Sequence, residues 1–264
     1  MTAPADALLA RLVQTHRRGG QLVLLFDYDG TLVPIADHPA LARLDPATRE
    51  LLGQLAGLPR VLLGILSGRM LEELAEMVAL AKLCLAGTAG LELHLYGARL
   101  VPPQAEPARQ WIGNLAQRLD GLPAAFPGAW LENKGLGLTV HYRDVPAERA
   151  GPLRAEVDRA VAALAHPFRL TDGPLAVEIV PELGWNKGTA VQRILDSLPG
   201  DDVCLLYAGD EANDADALQT VAALGGIALG IGPQAPDAAQ YRLPDPAALI
   251  ALLAELLAAL PGPA

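Results

Sequence analysis

The sequence predicts an α/β fold: a doubly wound, mostly parallel sheet core carrying an inserted α+β cap domain. Two observations carry the core. Apolar runs at 22–26, 61–66 and 203–207 lack polar alternation, the pattern of parallel strands covered on both faces. Helical segments lie between and after them, at 46–56, 70–78, 187–198 and 213–223. A third observation carries the insertion. From about residue 97 to residue 181 the apolar runs become shorter and more polar. Those at 130–133, 137–142, 168–171 and 176–180 read as strands of an antiparallel sheet with one wet face. Amphipathic helices at about 106–119 and 147–165 separate them.

Punctuation places the boundaries. Asp45 before Pro46 reads as an N-cap with proline at the first helical position. Pro102-Pro103 and Pro181 with Gly184 mark two linkers, so 1–103 and 182–264 are expected to form the core and 104–181 the cap. The apolar stretch 247–260 is broken by Glu255 and is shorter than the ~20 residues a membrane span needs, so it reads as a buried helix. Residues 1–6 lack a basic run followed by an apolar one, so no leader is expected there.

With 264 residues, 52% of them hydrophobic and 19% charged, the chain can bury a substantial core. Its two cysteines, Cys84 and Cys204, sit in apolar runs without metal-binding neighbours. They read as buried small hydrophobes of a reduced, cytoplasmic protein. A net charge of −10 argues against a general nucleic-acid surface and requires that any anionic substrate meet local cations or a metal. No membrane partner is expected, and the chain is expected to be a monomer.

The chemistry lies where apolar runs end. Ligands of open α/β sheets bind beyond the carboxyl ends of the strands. Asp27, Asp29, Ser67 and Asp210 are therefore expected to converge on one cleft, although far apart in sequence. Asp27 and Asp29, in Asp27-Tyr28-Asp29-Gly30-Thr31, are two carboxylates close enough to need a neutralising cation. A hard cation with oxygen ligands, Mg²⁺, fits. Asp210 and Asp214 supply further carboxylates at a second strand end. Ser67-Gly68-Arg69 offers a hydroxyl and backbone N–H groups at a helix start, suited to a phosphoryl oxygen. Lys187 begins a helix, where its charge opposes the dipole and needs another reason. Each feature alone also has a plain reading: a turn with capping aspartates, an ordinary N-cap, a solvated lysine.

Together, in this order, the four motifs resemble the haloacid dehalogenase superfamily of phosphohydrolases. The resemblance implies that Asp27 attacks phosphorus and forms an aspartyl-phosphate, while Asp29 protonates the leaving oxygen and then activates water. It implies that Ser67, Gly68, Arg69 and Lys187 hold the phosphoryl group. Mg²⁺ would be held by the Asp27 carboxylate, the Asp29 backbone carbonyl and Asp210, with Asp214 supporting from behind or orienting Lys187.

Within that superfamily the chain resembles the trehalose-6-phosphate phosphatase family. The residues that carry this are Leu131-Glu132-Asn133-Lys134-Gly135, Thr139-Val140-His141-Tyr142-Arg143, Val177-Glu178-Ile179, Gly184-Trp185-Asn186-Lys187-Gly188 and Ala89-Gly90-Leu91-Glu92. The resemblance implies that Asn133, Lys134 and Glu178 bond sugar hydroxyls, with Glu92 helping from the core. Val180 stands where the family pattern leads one to expect arginine. Hydrolysis of trehalose 6-phosphate is the implied activity. Sucrose phosphate or a glycosyl-phosphoglycerate is the alternative substrate, and a non-catalytic sugar-phosphate sensor the alternative class. The sensor would have lost a core carboxylate, and none is lost here.

Overall fold

A run without polar alternation needs cover on both faces, and β1 (Gln21–Phe26) has it: Leu22 to Phe26 are all fully buried. The computed structural model describes residues 3–36, 38–173, 175–200 and 202–261. Met1 and Thr2, which begin the stretch read for a leader, lie outside the described residues.

The first part of the chain runs α1 (Ala3–Arg17), β1, α2 (Pro46–Gly57), β2 (Val61–Leu66), α3 (Leu71–Val78), β3 (Cys84–Gly87), β4 (Glu92–Leu95) and β5 (Ala98–Leu100). The middle part is α4 (Ala105–Leu119), α5 (Leu122–Ala125), β6 (Trp130–Asn133), β7 (Leu138–His141), α6 (Ala147–Ala162), β8 (Phe168–Gly173) and β9 (Ala176–Pro181). The last part is α7 (Lys187–Asp196), β10 (Val203–Gly209), α8 (Ala215–Ala223), β11 (Ile227–Ile231), β12 (Tyr241–Leu243) and α9 (Pro246–Ala259). Backbone contacts divide these into two units, one running up to Leu100 and resuming at Asn186, the other Val101–Trp185.

In the first unit one sheet has the order β12-β11-β10-β1-β2-β3-β4-β5. Strands β12 to β3 of that order pair parallel; β4 and β5 add an antiparallel edge. Alternate β1 side chains serve opposite faces. Leu22, Leu24 and Phe26 pack with Leu8 and Leu12 of α1, Leu52 and Leu55 of α2, and Leu249 and Leu253 of α9. Val23 and Leu25 pack with Val191 and Ile194 of α7 and Leu218 and Val221 of α8. Each such side chain contributes about 1.5–3 kcal/mol on burial. The α9 helix buries Leu249, Leu252, Leu253 and Leu256, and among the described residues no helix is long and apolar enough to cross a membrane.

Cys84 and Cys204 are buried free thiols, and burial pushes the Cys84 thiol up to about 12. Such thiols are inert at neutral pH.

The second unit has its own core. Its antiparallel sheet, in the order β6-β7-β9-β8, turns Leu138, Val140, Val177 and Ile179 toward Ile112, Leu115 and Leu119 of α4 and Leu153 and Val157 of α6. The opposite face carries the polar residues, which gives the alternation seen in the sequence.

Candidate active site

Strand β1 lies between β10 and β2, and the chain winds outward from it in both directions. That reversal opens a crevice at the carboxyl ends of these strands. Asp27 follows β1, Ser67 follows β2 and Asp210 follows β10. After Asp27 the chain turns back on itself, with Gly30 N–H donating to the Val33 carbonyl at 2.7 Å. Gly30 has φ +81°, and a Cβ there would run into the Asp210 carboxylate, so the turn requires glycine. Thr31 Oγ1 donates to Asp210 Oδ1 at 3.2 Å and joins the two strand ends.

Lys187 is placed by a capping box. Asn186 Oδ1 accepts from Thr189 N–H at 2.8 Å, and Thr189 Oγ1 accepts from Asn186 N–H at 2.9 Å. Gly90, at φ +91°, lies so close to the Asn186 backbone that any Cβ would collide with it. The Lys187 side chain is buried and donates to Asp27 Oδ1 at 2.6 Å, Asp214 Oδ1 at 2.7 Å and Asn213 Oδ1 at 2.7 Å. Burial opposes its charge, but Asp214 and Asp27 outweigh burial and hold the ammonium protonated, with its pKa raised. This is the reason for a lysine at a helix start.

Asp27, Asp210 and Asp214 bring carboxylate oxygens within 4.8 Å of one another. Burial pushes the Asp27 carboxyl well up; Lys187 opposes this, and the charges of Asp214 and Asp210 add to it. Burial and then Asp214 push Asp210 up to about 7. Asp214 is fully engaged: Oδ1 accepts from Lys187 and from Tyr207 OH at 2.6 Å, and Oδ2 from the N–H groups of Asp210 and Glu211 at 2.9 and 3.1 Å. When all three carboxylates ionise against the one ammonium, an excess of two negative charges results, and a divalent cation cancels it. The oxygen donor set suits a hard ion such as Mg²⁺. Asp27 and Asp210 have carboxylate oxygens to offer such an ion.

Asp29 is not in this cluster. The turn at Gly30 sends its carboxylate elsewhere, to Arg69: Nε donates to Oδ2 at 2.7 Å and Nη2 to Oδ1 at 2.8 Å. The crowded carboxylates are therefore Asp27, Asp210 and Asp214, whereas the pair Asp27 and Asp29 was expected from sequence. Ser67 is buried and its Oγ accepts from the Arg69 N–H at 3.2 Å, leaving its own proton to donate. Gly68 follows it at the loop before α3. The Arg69 guanidinium, expected among the phosphate-holding groups, is occupied by Asp29, Glu73 and the Pro39 carbonyl.

Glu92 belongs to the first unit. Its buried carboxylate accepts from Thr88 Oγ1 at 3.0 Å and from Arg99, a bridge within the sheet edge.

In the second unit, the register Glu132↔Thr139↔Glu178 puts these residues on one face of the sheet, with His141 and Lys134. Lys134 Nζ donates to Glu178 Oε1 at 3.4 Å and lies 3.9 Å from Glu132 Oε2. His141 Nε2 donates to Glu132 Oε2 at 2.8 Å and stacks on Trp130 with ring centroids 3.8 Å apart. Asn133 is not brought to this cluster. It alternates to the other side of β6, and its Oδ1 accepts from Gly135 N–H at 2.9 Å in the following turn. Glu132, one residue earlier, is brought to the cluster instead. The signal that finds it is the period of two: Glu132 and Lys134 share a face, and Asn133 does not.

A parallel sheet with this crevice, a buried lysine bridging Asp27 and Asp214, and a separate α+β insertion define a haloacid dehalogenase-type protein. The sequence matches the family described as trehalose-phosphatase over residues 25–246, and the chain belongs to that family. A trehalose-phosphate phosphatase of Mycobacterium tuberculosis (strain ATCC 25618 / H37Rv) is 34% identical over 221 residues, covering 82% of this chain and 53% of the relative. Trehalose-phosphate phosphatase B of Arabidopsis thaliana is 31% identical over 255 residues, covering 91% of this chain and 67% of the relative. The chain thus spans about half the length of the mycobacterial relative. The C-terminal domain of C. albicans trehalose-6-phosphate phosphatase superimposes with a TM-score of 0.82 at 21% identity, covering 95% of this chain and 96% of that domain. At that identity the likeness concerns the fold.

Proposed function

We propose that this chain is a Mg²⁺-dependent phosphatase that hydrolyses trehalose 6-phosphate to trehalose and phosphate, as a monomer in the cytoplasm. The observation that carries the reading is the buried Lys187 joined to Asp27 and Asp214 beside Asp210. It is an arrangement for holding a dianionic phosphoryl group next to a carboxylate nucleophile. Membership of the trehalose-phosphatase family supports the substrate.

In the first step an Asp27 carboxylate oxygen bonds to phosphorus and the bond from phosphorus to the sugar oxygen breaks. Asp29 gives its proton to that oxygen. In the second step Asp29 takes a proton from water, the water oxygen bonds to phosphorus and the aspartyl-phosphate bond breaks, which restores Asp27. Ser67 Oγ donates to a phosphoryl oxygen throughout, and the Lys187 ammonium, held against Asp27 and Asp214, offsets the phosphoryl charge. Mg²⁺, held by Asp27, Asp210 and the Asp29 carbonyl, would supply charge neutralisation for the phosphoryl group. Glu132, Lys134 and Glu178 of the insertion would pair with sugar hydroxyls, for which a face of fixed donors and acceptors is suited.

The test is phosphate release from trehalose 6-phosphate, sucrose phosphate and glycosyl-phosphoglycerate, with Mg²⁺ or with chelator. Release from trehalose 6-phosphate is expected, and its loss with chelator. No release from any of them rejects the phosphatase reading and leaves the sensor. Release from another ester alone rejects the substrate. Asp27→Asn should remove turnover and keep the fold by circular dichroism.

A further inference from the structure

The guanidinium of Arg69 has five N–H donors, and five acceptors meet them. Nε donates to Asp29 Oδ2 at 2.7 Å and Nη2 to Asp29 Oδ1 at 2.8 Å. The second Nη2 proton goes to the Pro39 carbonyl at 2.7 Å. Nη1 donates to Glu73 Oε1 at 2.6 Å and to Met77 Sδ at 3.1 Å. The group is nearly buried, 5.5 Å from the Tyr28 ring centroid, whereas Asp29 keeps 32% of its side chain exposed. No donor is left over for a phosphoryl oxygen, and none of the guanidinium contacts reaches Asp27, Ser67 or Lys187. Burial opposes the charge of Arg69, but Asp29 and then Glu73 outweigh it and keep the group cationic. Glu73, four residues on in α3, balances the arginine from the other side.

We propose that Arg69 is a positioning residue for proton transfer: its two-point fork fixes the Asp29 carboxylate for the leaving oxygen, and it does not bind phosphate. The proposal rests on the phosphatase reading above. A planar fork sets both the position and the plane of a carboxylate, which a lysine ammonium cannot do. Asp29 keeps an exposed edge while the buried arginine holds its carboxylate from behind.

The test separates proton delivery from phosphate binding by the leaving group. The alcohol of trehalose 6-phosphate must be protonated as it leaves; the nitrophenolate of p-nitrophenyl phosphate need not be. Leaving-group release is measured in single turnover, with enzyme in excess and Mg²⁺ present, so that only transfer to Asp27 is read. Arg69→Lys should slow release from the sugar ester by about 10–100-fold. The half-saturating concentration and the rate with the aryl ester should stay near wild type. In an Asp29→Asn background Arg69→Lys should cause no further loss. Weaker saturation by both esters, equal slowing of both, or additive losses with Asp29→Asn would each overturn the proposal. If Arg69→Lys does not fold, Glu73→Gln serves. It loosens the guanidinium without removing the fork, and should alter the sugar-ester rate several-fold while sparing the aryl ester; weaker saturation by both esters counts against the role. A wild-type chain inactive on both esters rejects the phosphatase reading, and the Arg69 role with it. Activity on both with the wrong variant pattern rejects the Arg69 role alone.

Discussion

Asp210 carries the clearest pH signature in the site. Its carboxyl sits at about 7 in the folded chain, above the ordinary 3.8, because burial and the Asp214 charge disfavour ionisation. A raised carboxyl favours the folded state when protonated. Its contribution is therefore full below the ordinary carboxylate range and is lost as pH rises through about 7, at up to about 1.4 kcal/mol per pH unit. A cation that takes the ionised form reverses the trend. Added Mg²⁺ should raise the melting temperature more at pH 8 than at pH 5.5, because at the lower pH a proton competes for Asp210. Equal shifts at both values would reject Asp210 as a ligand.

Secondary elements show what was legible in the sequence and what was not. The runs ending at Asp27, Ser67 and Asp210 stood out because strands buried on both faces leave no polar alternation. Their convergence followed from a general rule of parallel sheets. The α1 helix carries a weaker signal, since alanines blur its apolar stripe, and three-residue strands such as β5 and β12 carry almost none. The split of 212–223 into a 3-10 turn and α8 depends on Asp214 bonding the backbone of Asp210 and Glu211, a local competition that periodicity does not register. Side-chain direction was the least legible. Asp29 lies two residues after Asp27 yet turns to Arg69, because β1 has ended at Phe26 and the chain is already turning toward Gly30. By the alternation of β6, Glu132 and not Asn133 shares a face with Lys134 and Glu178. Glu132→Gln should therefore raise the KM for trehalose 6-phosphate by about 10-fold or more, through loss of a charge-assisted hydrogen bond. Asn133→Ala should leave it nearly unchanged. A larger effect at Asn133 than at Glu132 would reverse the assignment.

At the scale of the molecule, each unit buries its own core, and the three tryptophans, Trp111, Trp130 and Trp185, all fall within Val101–Trp185. Tryptophan fluorescence is thus a reporter of the insertion, and far-ultraviolet circular dichroism of both units. Leu253→Ala, in the packing of α9 on the large sheet, should destabilise the first unit by about 2–5 kcal/mol. In urea it should move the dichroism transition and leave the fluorescence transition in place. A common shift would mean that the two units unfold as one. The discontinuity of the first unit also has a kinetic side. Asp27 and Lys187 are 160 residues apart, and β10, which covers one edge of β1, comes later still. At synthesis rates of about 5–20 residues per second, roughly 8–30 s pass between the emergence of the aspartate and that of its lysine. Throughout that interval β1 waits with one edge unpaired, and the insertion is the part already able to assemble. An unpaired strand edge is a template for mispairing, so a slow codon after residue 185 would prolong that exposure.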